Sequence, residues 1–242
     1  SSDVCSSDLD TVLVTRMSVS VLVAAIAPAP TRVFPAPQGR TTTPDPPVKK
    51  LLTDQSATTR LLSILGGSKG LAEFIERHPH TLAFFHDEPG LPGDQEKMRS
   101  SLLSSVGAVT GFAKNGGDAA RDALRVHYRE LLLKIAIWDL GHENPLHQIE
   151  WVTGSLSDIA GGALEAGLAI ARTEVSENFS AEEVALVDLA IIGMGKCGAR
   201  ELNYLSDVDV IYVGASLDEE KLPTDKALTI ATRLAQHTAR AI

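Results

Sequence analysis

Cysteine is nearly missing from this 242-residue chain: Cys5 and Cys197 are the only two, far apart and in unlike surroundings. That excludes a disulfide framework and a cysteine-built zinc site, and it fits a reducing cytoplasm. Long apolar runs are also missing, since none approaches the roughly 18 residues of a membrane span. The longest, MSVSVLVAAIA at 17–27, follows Arg16 and precedes Ala-Pro-Ala-Pro, a faint imitation of a signal peptide. Nor is there a basic excess: the net charge of −9 argues against gripping nucleic acid through a general basic surface. An acidic protein still reaches a nucleotide through a metal ion. Of the seven histidines, His78 and His80, and likewise His142 and His147, sit close together but lack further ligands at metal spacing, so they read as surface or packed side chains. What remains, 44% apolar and 22% charged, is the make-up of a soluble globular protein of one large domain or two small ones.

Organisation changes near residue 50. Seven of the twelve prolines fall between Pro28 and Pro47, a density that blocks helix propagation and sheet pairing. The start SSDVCSSDLD lacks an initiator methionine and resembles translated sequencing-adaptor read-through. Residues 1–47 are therefore expected to be disordered or artefactual. From Lys49 the pattern is helical, with a stop at Gly66-Gly67 and a second short helix closed by Pro79. The stretch from Asp87 to Gly93 reads as a turn-rich connection. Leu124, Tyr128, Leu131, Leu132 and Ile135 predict an amphipathic helix ending near Leu140-Gly141, with Arg121, Arg125 and Arg129 repeating on another face that reads as solvated, the alternative being an approach to a phosphate-rich substrate. A further helix follows from about 147 to 174. Ser180-Ala-Glu-Glu183 has capping-box spacing. Val187–Ile192 and Val208–Val213 read as strands, the second ended by Gly214, with at most two helical turns over 199–204 between them. A last helix starts at Thr224. Residues 48–178 are thus expected to be a helical region and 179–242 the start of a second domain.

The two strands flank IIGMGKCGARELNYLSDVDVIYV, residues 191–213. Gly193, Gly195 and Gly198 spell G-x-G-x-x-G. A dinucleotide fold, however, needs a full crossover helix and a ribose-binding acid about 20 residues on. Here eight residues separate Gly198 from Asp207, too few for that helix. A phosphate loop of the G-x-x-x-x-G-K-[ST] kind is excluded because Lys196 is followed by Cys197. The stronger signal is Asp-Val-Asp. Residues i and i+2 of a strand share a face, so Asp207 and Asp209 project side by side while Val208 and Val210 enter the core. Two adjacent carboxylates are costly unless a cation sits between them. Magnesium, held by one or two carboxylates and substrate phosphates, meets that need. The glycine turn lets backbone N–H groups approach the same phosphates, with Lys196 adding positive charge.

This constellation resembles the nucleotidyltransferase superfamily that includes DNA polymerase beta. Within it, GMGKCGARELNYLSDVDVI is similar to the first catalytic motif of the bifunctional glutamine synthetase adenylyltransferase/adenylyl-removing enzymes, typically G-M-G-K-x-G-x-R-E-L-N-Y-x-S-D-x-D-x-I. YRELLLKIA at 128–136, Asp139-Leu140, LSDIA at 156–160, and LGGS at 65–68 with Arg77-His-Pro79 resemble that family's N-terminal region. The resemblance covers roughly residues 50–242 and is most specific in 193–211.

The resemblance implies an α+β, mostly helical chain: a helical N-terminal region followed by the first strands of a polymerase-beta-like nucleotidyltransferase domain, truncated. It implies that Asp207 and Asp209 are catalytic and hold Mg2+, and that Gly193, Gly195, Lys196, Gly198 and Ser206 shape the phosphate site. The family's first half removes AMP from a tyrosyl residue of glutamine synthetase by phosphorolysis, releasing ADP, and its second attaches AMP from ATP. Asn203-Tyr204 is similar to the first half. Implied partners are adenylylated glutamine synthetase, a PII-type regulatory protein, ATP, ADP and phosphate, with no nucleic acid, no membrane and a cytoplasmic location. Cys197 departs from a frequent leucine and reads as a packed side chain. The superfamily's third carboxylate is expected beyond Ile242, so the fragment alone is expected to be inactive. Two alternatives stand beside this: a PII-protein uridylyltransferase-like enzyme, which usually has G-x-G-R-x-E-L, and a non-catalytic helical module that binds a partner.

Overall fold

The computed structural model describes residues 13–19, 46–86, 94–142 and 144–242. Helices dominate. α1 (Pro46–Thr53), α2 (Gln55–Gly67) and α3 (Lys69–Arg77) form a small packed set. The starts of α2 and α3 are fixed by side-chain caps: Asp54 accepts from the Ala57 N–H and Ser68 from the Leu71 N–H. α4 (Gln95–Ser105) starts in the same way on Asp94. The turn-rich stretch 87–93 lies outside the described residues.

α5 (Gly117–Leu140) and α6 (Ile149–Val175) form the scaffold. α6 is buried on almost every side because α4, α5 and α9 (Thr224–Ala241) all pack on it. Such encirclement suits its composition, since helices that are apolar all round are the ones enclosed by neighbours. α9 buries the stripe Ala227, Ile230, Ala231, Leu234, Ala235 and Thr238, at three- and four-residue steps. This helix touches α6 on one side and the sheet on another, so one continuous apolar core runs through the helical part and the strands.

The sheet has three strands, β1 (Leu13–Val19), β2 (Val187–Gly193) and β3 (Val208–Ser216), in the order β1-β3-β2 and antiparallel throughout. A short helix, α7 (Ala181–Ala185), leads into β2, and its capping box between Ser180 and Glu183 is complete in both directions. The mostly helical α+β architecture agrees with expectation. Three details differ from it. First, residues 13–19 lie within the stretch expected to be disordered or artefactual, yet they pair along β3 from Leu13 opposite Gly214 to Val19 opposite Val208. They precede the proline-dense segment, and a strand edge with open N–H and C=O groups is satisfied by pairing. The rest of 1–45 lies outside the described residues.

Second, β3 does not stop at Gly214 but continues to Ser216. Gly214 is there for packing, because a Cβ at this position would lie 2.7 Å from the Ala231 Cβ of α9. Gly214→Ala is expected to push α9 off the sheet and cost about 1–3 kcal/mol, measurable by chemical denaturation. Third, the arginine repeat on α5 is not a solvated face. Arg121 reaches the Glu174 carboxylate of α6 at 2.5 Å, and Arg125 donates to the carbonyl of Arg240 at 2.9 Å. These two side chains tie α5 to α6 and α9.

Candidate functional site

The strand-turn-strand unit places the motif. β2 ends at Gly193, and a single helical turn, α8 (Gly195–Gly198), follows at once. The helical turn thus falls on the glycines, whereas 199–204, where up to two helical turns are expected, carries no helix. Because β2 and β3 are antiparallel, a dinucleotide-binding βαβ unit, which requires parallel strands, is absent at this motif. Two of the glycines have physical reasons. Gly195 sits at φ +52°, the left-handed region that glycine tolerates best, and a Cβ on Gly198 would run into the Gly193 carbonyl oxygen. The chain therefore folds back tightly on the end of β2.

Residues 200–204 anchor the glycine turn to the helical scaffold. Arg200, at φ +61°, forms a two-pronged ion pair with the buried carboxylate of Asp158 on α6; its Nη2 lies 2.9 Å from Oδ2. The Leu202 N–H donates to the Ser157 hydroxyl at 3.4 Å, and the Tyr204 hydroxyl to Asp139 of α5 at 3.0 Å. Burial, reinforced by the Asp139 charge, pushes the Tyr204 phenol above its ordinary range. Asp158 lies in the LSDIA stretch and Asp139 in the Asp139-Leu140 pair, whose similarity is visible in sequence without its purpose. Removing Asp158 releases a left-handed arginine. Because Arg200 is 52% exposed, solvent screening holds the stability cost of Asp158→Ala to about 1 kcal/mol. Faster amide exchange over residues 195–204 is the expected readout.

Val208, Val210 and Tyr212 point into the core beneath α9 and are fully buried. Burial pushes the Tyr212 phenol up to about 12. Asp209 alternates with them and lies on the opposite, more open face, with Asp207 exposed just before β3 begins. The Asp209 carbonyl accepts the Met194 N–H at 2.8 Å, which sets the glycine turn against the acidic end of β3. Neither carboxylate makes a hydrogen bond or ion pair among the described residues. Lys196 Nζ approaches the Ser206 hydroxyl at 3.5 Å, and that hydroxyl donates to Asn203 Oδ1 at 2.6 Å. Asp207, Asp209, Lys196 and Ser206 therefore gather at one end of the sheet. Gly195 is exposed beside them, whereas Gly193 and Gly198 line a cavity on the helix side. Cys197 is half-buried, and its thiol is pushed up by burial and by the Asp158 charge, the opposite of an activated nucleophile.

No group of three or more His, Cys, Asp or Glu side chains suited to a metal occurs among the described residues. The donor set at this end is two carboxylates that make no ion pair among the described residues. Such a set fits a hard divalent cation that keeps waters and takes oxygens from a phosphate.

A mostly helical α+β chain with this glycine turn and aspartate pair can be compared with known proteins. Residues 58–242 match the glutamate-ammonia ligase adenylyltransferase family, and the chain belongs to it. Similar relatives are bifunctional glutamine synthetase adenylyltransferase/adenylyl-removing enzymes. That of Leifsonia xyli is 46% identical over 187 residues, covering 76% of this chain and 19% of the relative. That of Cutibacterium acnes is 37% identical over 195 residues, 79% and 19%. The Mycolicibacterium smegmatis relative is 37% identical over 193 residues, 78% and 18%. The chain spans about a fifth of the length of these relatives. No solved structure matches it. No described helix is long and apolar enough to cross a membrane.

Proposed function

We propose that the chain is the N-terminal part of an enzyme that controls glutamine synthetase by removing AMP from a tyrosine, with residues 179–242 beginning the transferring domain. The observation that carries this reading is the placement of Asp207 and Asp209, unpaired among the described residues, at the open end of β3 beside the glycine turn. Asp207 and Asp209 would hold Mg2+, which supplies neutralisation of the charge that develops on a transferring phosphoryl group.

The chain's own groups position the reactants. Lys196 places a positive charge at the rim, and Ser206 is held by Asn203 with its oxygen facing Lys196. The tight turn at Gly195 brings backbone close to where phosphate oxygens lie. Arg200, Tyr204 and Leu202 keep that turn fixed on α5 and α6. In the reaction a phosphate oxygen attacks the α-phosphorus of the tyrosyl-AMP, the bond from phosphorus to the tyrosyl oxygen breaks, and ADP and the free tyrosine result. The second half of the longer protein adds AMP from ATP, and a PII-type protein governs the balance in the cytoplasm.

Among the described residues no third carboxylate joins this pair, so the isolated 242-residue chain is expected to release no nucleotide. The test uses the full-length protein with adenylylated glutamine synthetase, Mg2+ and radiolabelled phosphate. Label in the β-position of ADP supports the reading. Free AMP as product, or no release, counts against it. GMGKCGARELNY, in place of the G-x-G-R-x-E-L usual in PII-protein uridylyltransferases, favours glutamine synthetase as the target.

A further inference from the structure

On the helix side of the sheet, behind the glycine turn, a cavity of about 710 Å3 opens between α4, α6, β2 and α8. Asp207, Asp209, Lys196 and Ser206 take no part in its wall. Its size is that of pockets that enclose small molecules, roughly 300–1,000 Å3. Three guanidinium groups and two carboxylates line it. Arg99 is taken by Glu165, with Nε 2.5 Å from Oε2, and by Glu96 outside the wall, 3.0 Å from Nη1, and Arg200 is taken by Asp158. Arg172 is left over. Its hydrogen bond is a long one, 3.4 Å to the Gly111 carbonyl, and it makes no ion pair among the described residues. Burial disfavours its charge, and the charges of Asp188 and Glu165 offset this only in part. Gly161 gives the cavity room, since a Cβ there would meet nothing within 4 Å.

A half-buried guanidinium without an ion-pair partner among the described residues, facing a cavity whose two lining carboxylates are each bound to another arginine, leaves an open positive group in a partly desolvated recess. Charged hydrogen bonds to an oxyanion are strongest in that setting. We propose that this cavity is a second ligand site, taking a small molecule that bears an oxyanion group, carboxylate or phosphate, with Arg172 as its main contact. An occupant lies against Cys197 and Gly198, the inner wall of the glycine turn. The site does not rest on AMP transfer: a chain without any AMP-releasing activity would still show it.

The experiment follows modification of Cys197 by N-ethylmaleimide in the 242-residue chain, read by peptide mass spectrometry so that Cys5 is counted separately. Inorganic phosphate and malonate are the probes, and the one that protects at lower concentration identifies the source of the oxyanion. Saturable protection of Cys197 is expected, with the half-protecting concentration raised roughly tenfold or more in Arg172→Gln. Gly161→Leu, which fills the cavity from a helix position with open space, is expected to do the same, and it serves should Arg172→Gln fail to fold by circular dichroism. No protection by either anion, or protection unchanged in the folded variants, would overturn the proposal.

Discussion

Asp209→Asn in the full-length enzyme is expected to slow phosphate-dependent release of ADP from adenylylated glutamine synthetase on the order of a thousandfold. The amide keeps the shape of the side chain and removes the charge that would hold a cation. Folding should be unaffected. The Asp209 side chain makes no hydrogen bond or ion pair among the described residues, and its backbone carbonyl, not its carboxylate, accepts the Met194 N–H. Losing one of two neighbouring negative charges relieves repulsion, so the melting temperature should stay level or rise slightly. A variant that loses activity and stability together would mean that Asp209 is structural.

The largest stability effect is expected at Glu174, on the last turn of α6. Its carboxylate is 8% exposed and collects three partners from two other helices. Arg121 of α5 lies 2.5 Å from Oε1, the Gly117 N–H donates to the same oxygen at 2.8 Å, and His237 Nδ1 of α9 lies 2.6 Å from Oε2. Glu174→Ala leaves the largely buried Arg121 with only its exposed Asp118 contact, and the expected cost is about 3 kcal/mol in chemical denaturation. Burial alone would push the Glu174 carboxyl up, but the hydrogen bonds from His237 and Gly117 and the Arg121 charge outweigh it and hold the group below its ordinary 4.5. A carboxyl depressed in the folded state contributes stability that is present above its unfolded value and is lost as pH falls through the folded one. The wild-type chain should therefore weaken as pH drops below 4.5, and Glu174→Gln should flatten that fall.

Features carried by neighbouring residues are legible in the sequence. The capping box at Ser180, the burial of Val208 and Val210, and the open placement of Asp209 all depend on spacings of two or three residues. Features decided by distant packing are not. Nothing local distinguishes Arg121 and Arg125 from a solvated helix face, because their partners are Glu174 and the end of α9, more than fifty and more than a hundred residues away. Gly214 reads as a strand terminator until α9 is placed against it. Arg200 and Tyr204 read as part of a motif, but their partners Asp158 and Asp139 lie some forty and sixty residues upstream. The helical turn at Gly195–Gly198 is also hidden from propensity, which disfavours glycine there and places helix over 199–204 instead. That turn is held by the fold back onto Gly193 and by the anchors on α5 and α6.

The claim that the two β3 carboxylates hold the cation used in AMP transfer is tested most directly by titrating full-length protein with Mn2+ and following the free ion by electron paramagnetic resonance. Asp207→Asn and Asp209→Asn should each bind one Mn2+ fewer than wild type, or bind that one far more weakly, while the fold is retained. Identical stoichiometry and affinity in wild type and both variants would mean that neither carboxylate holds the ion.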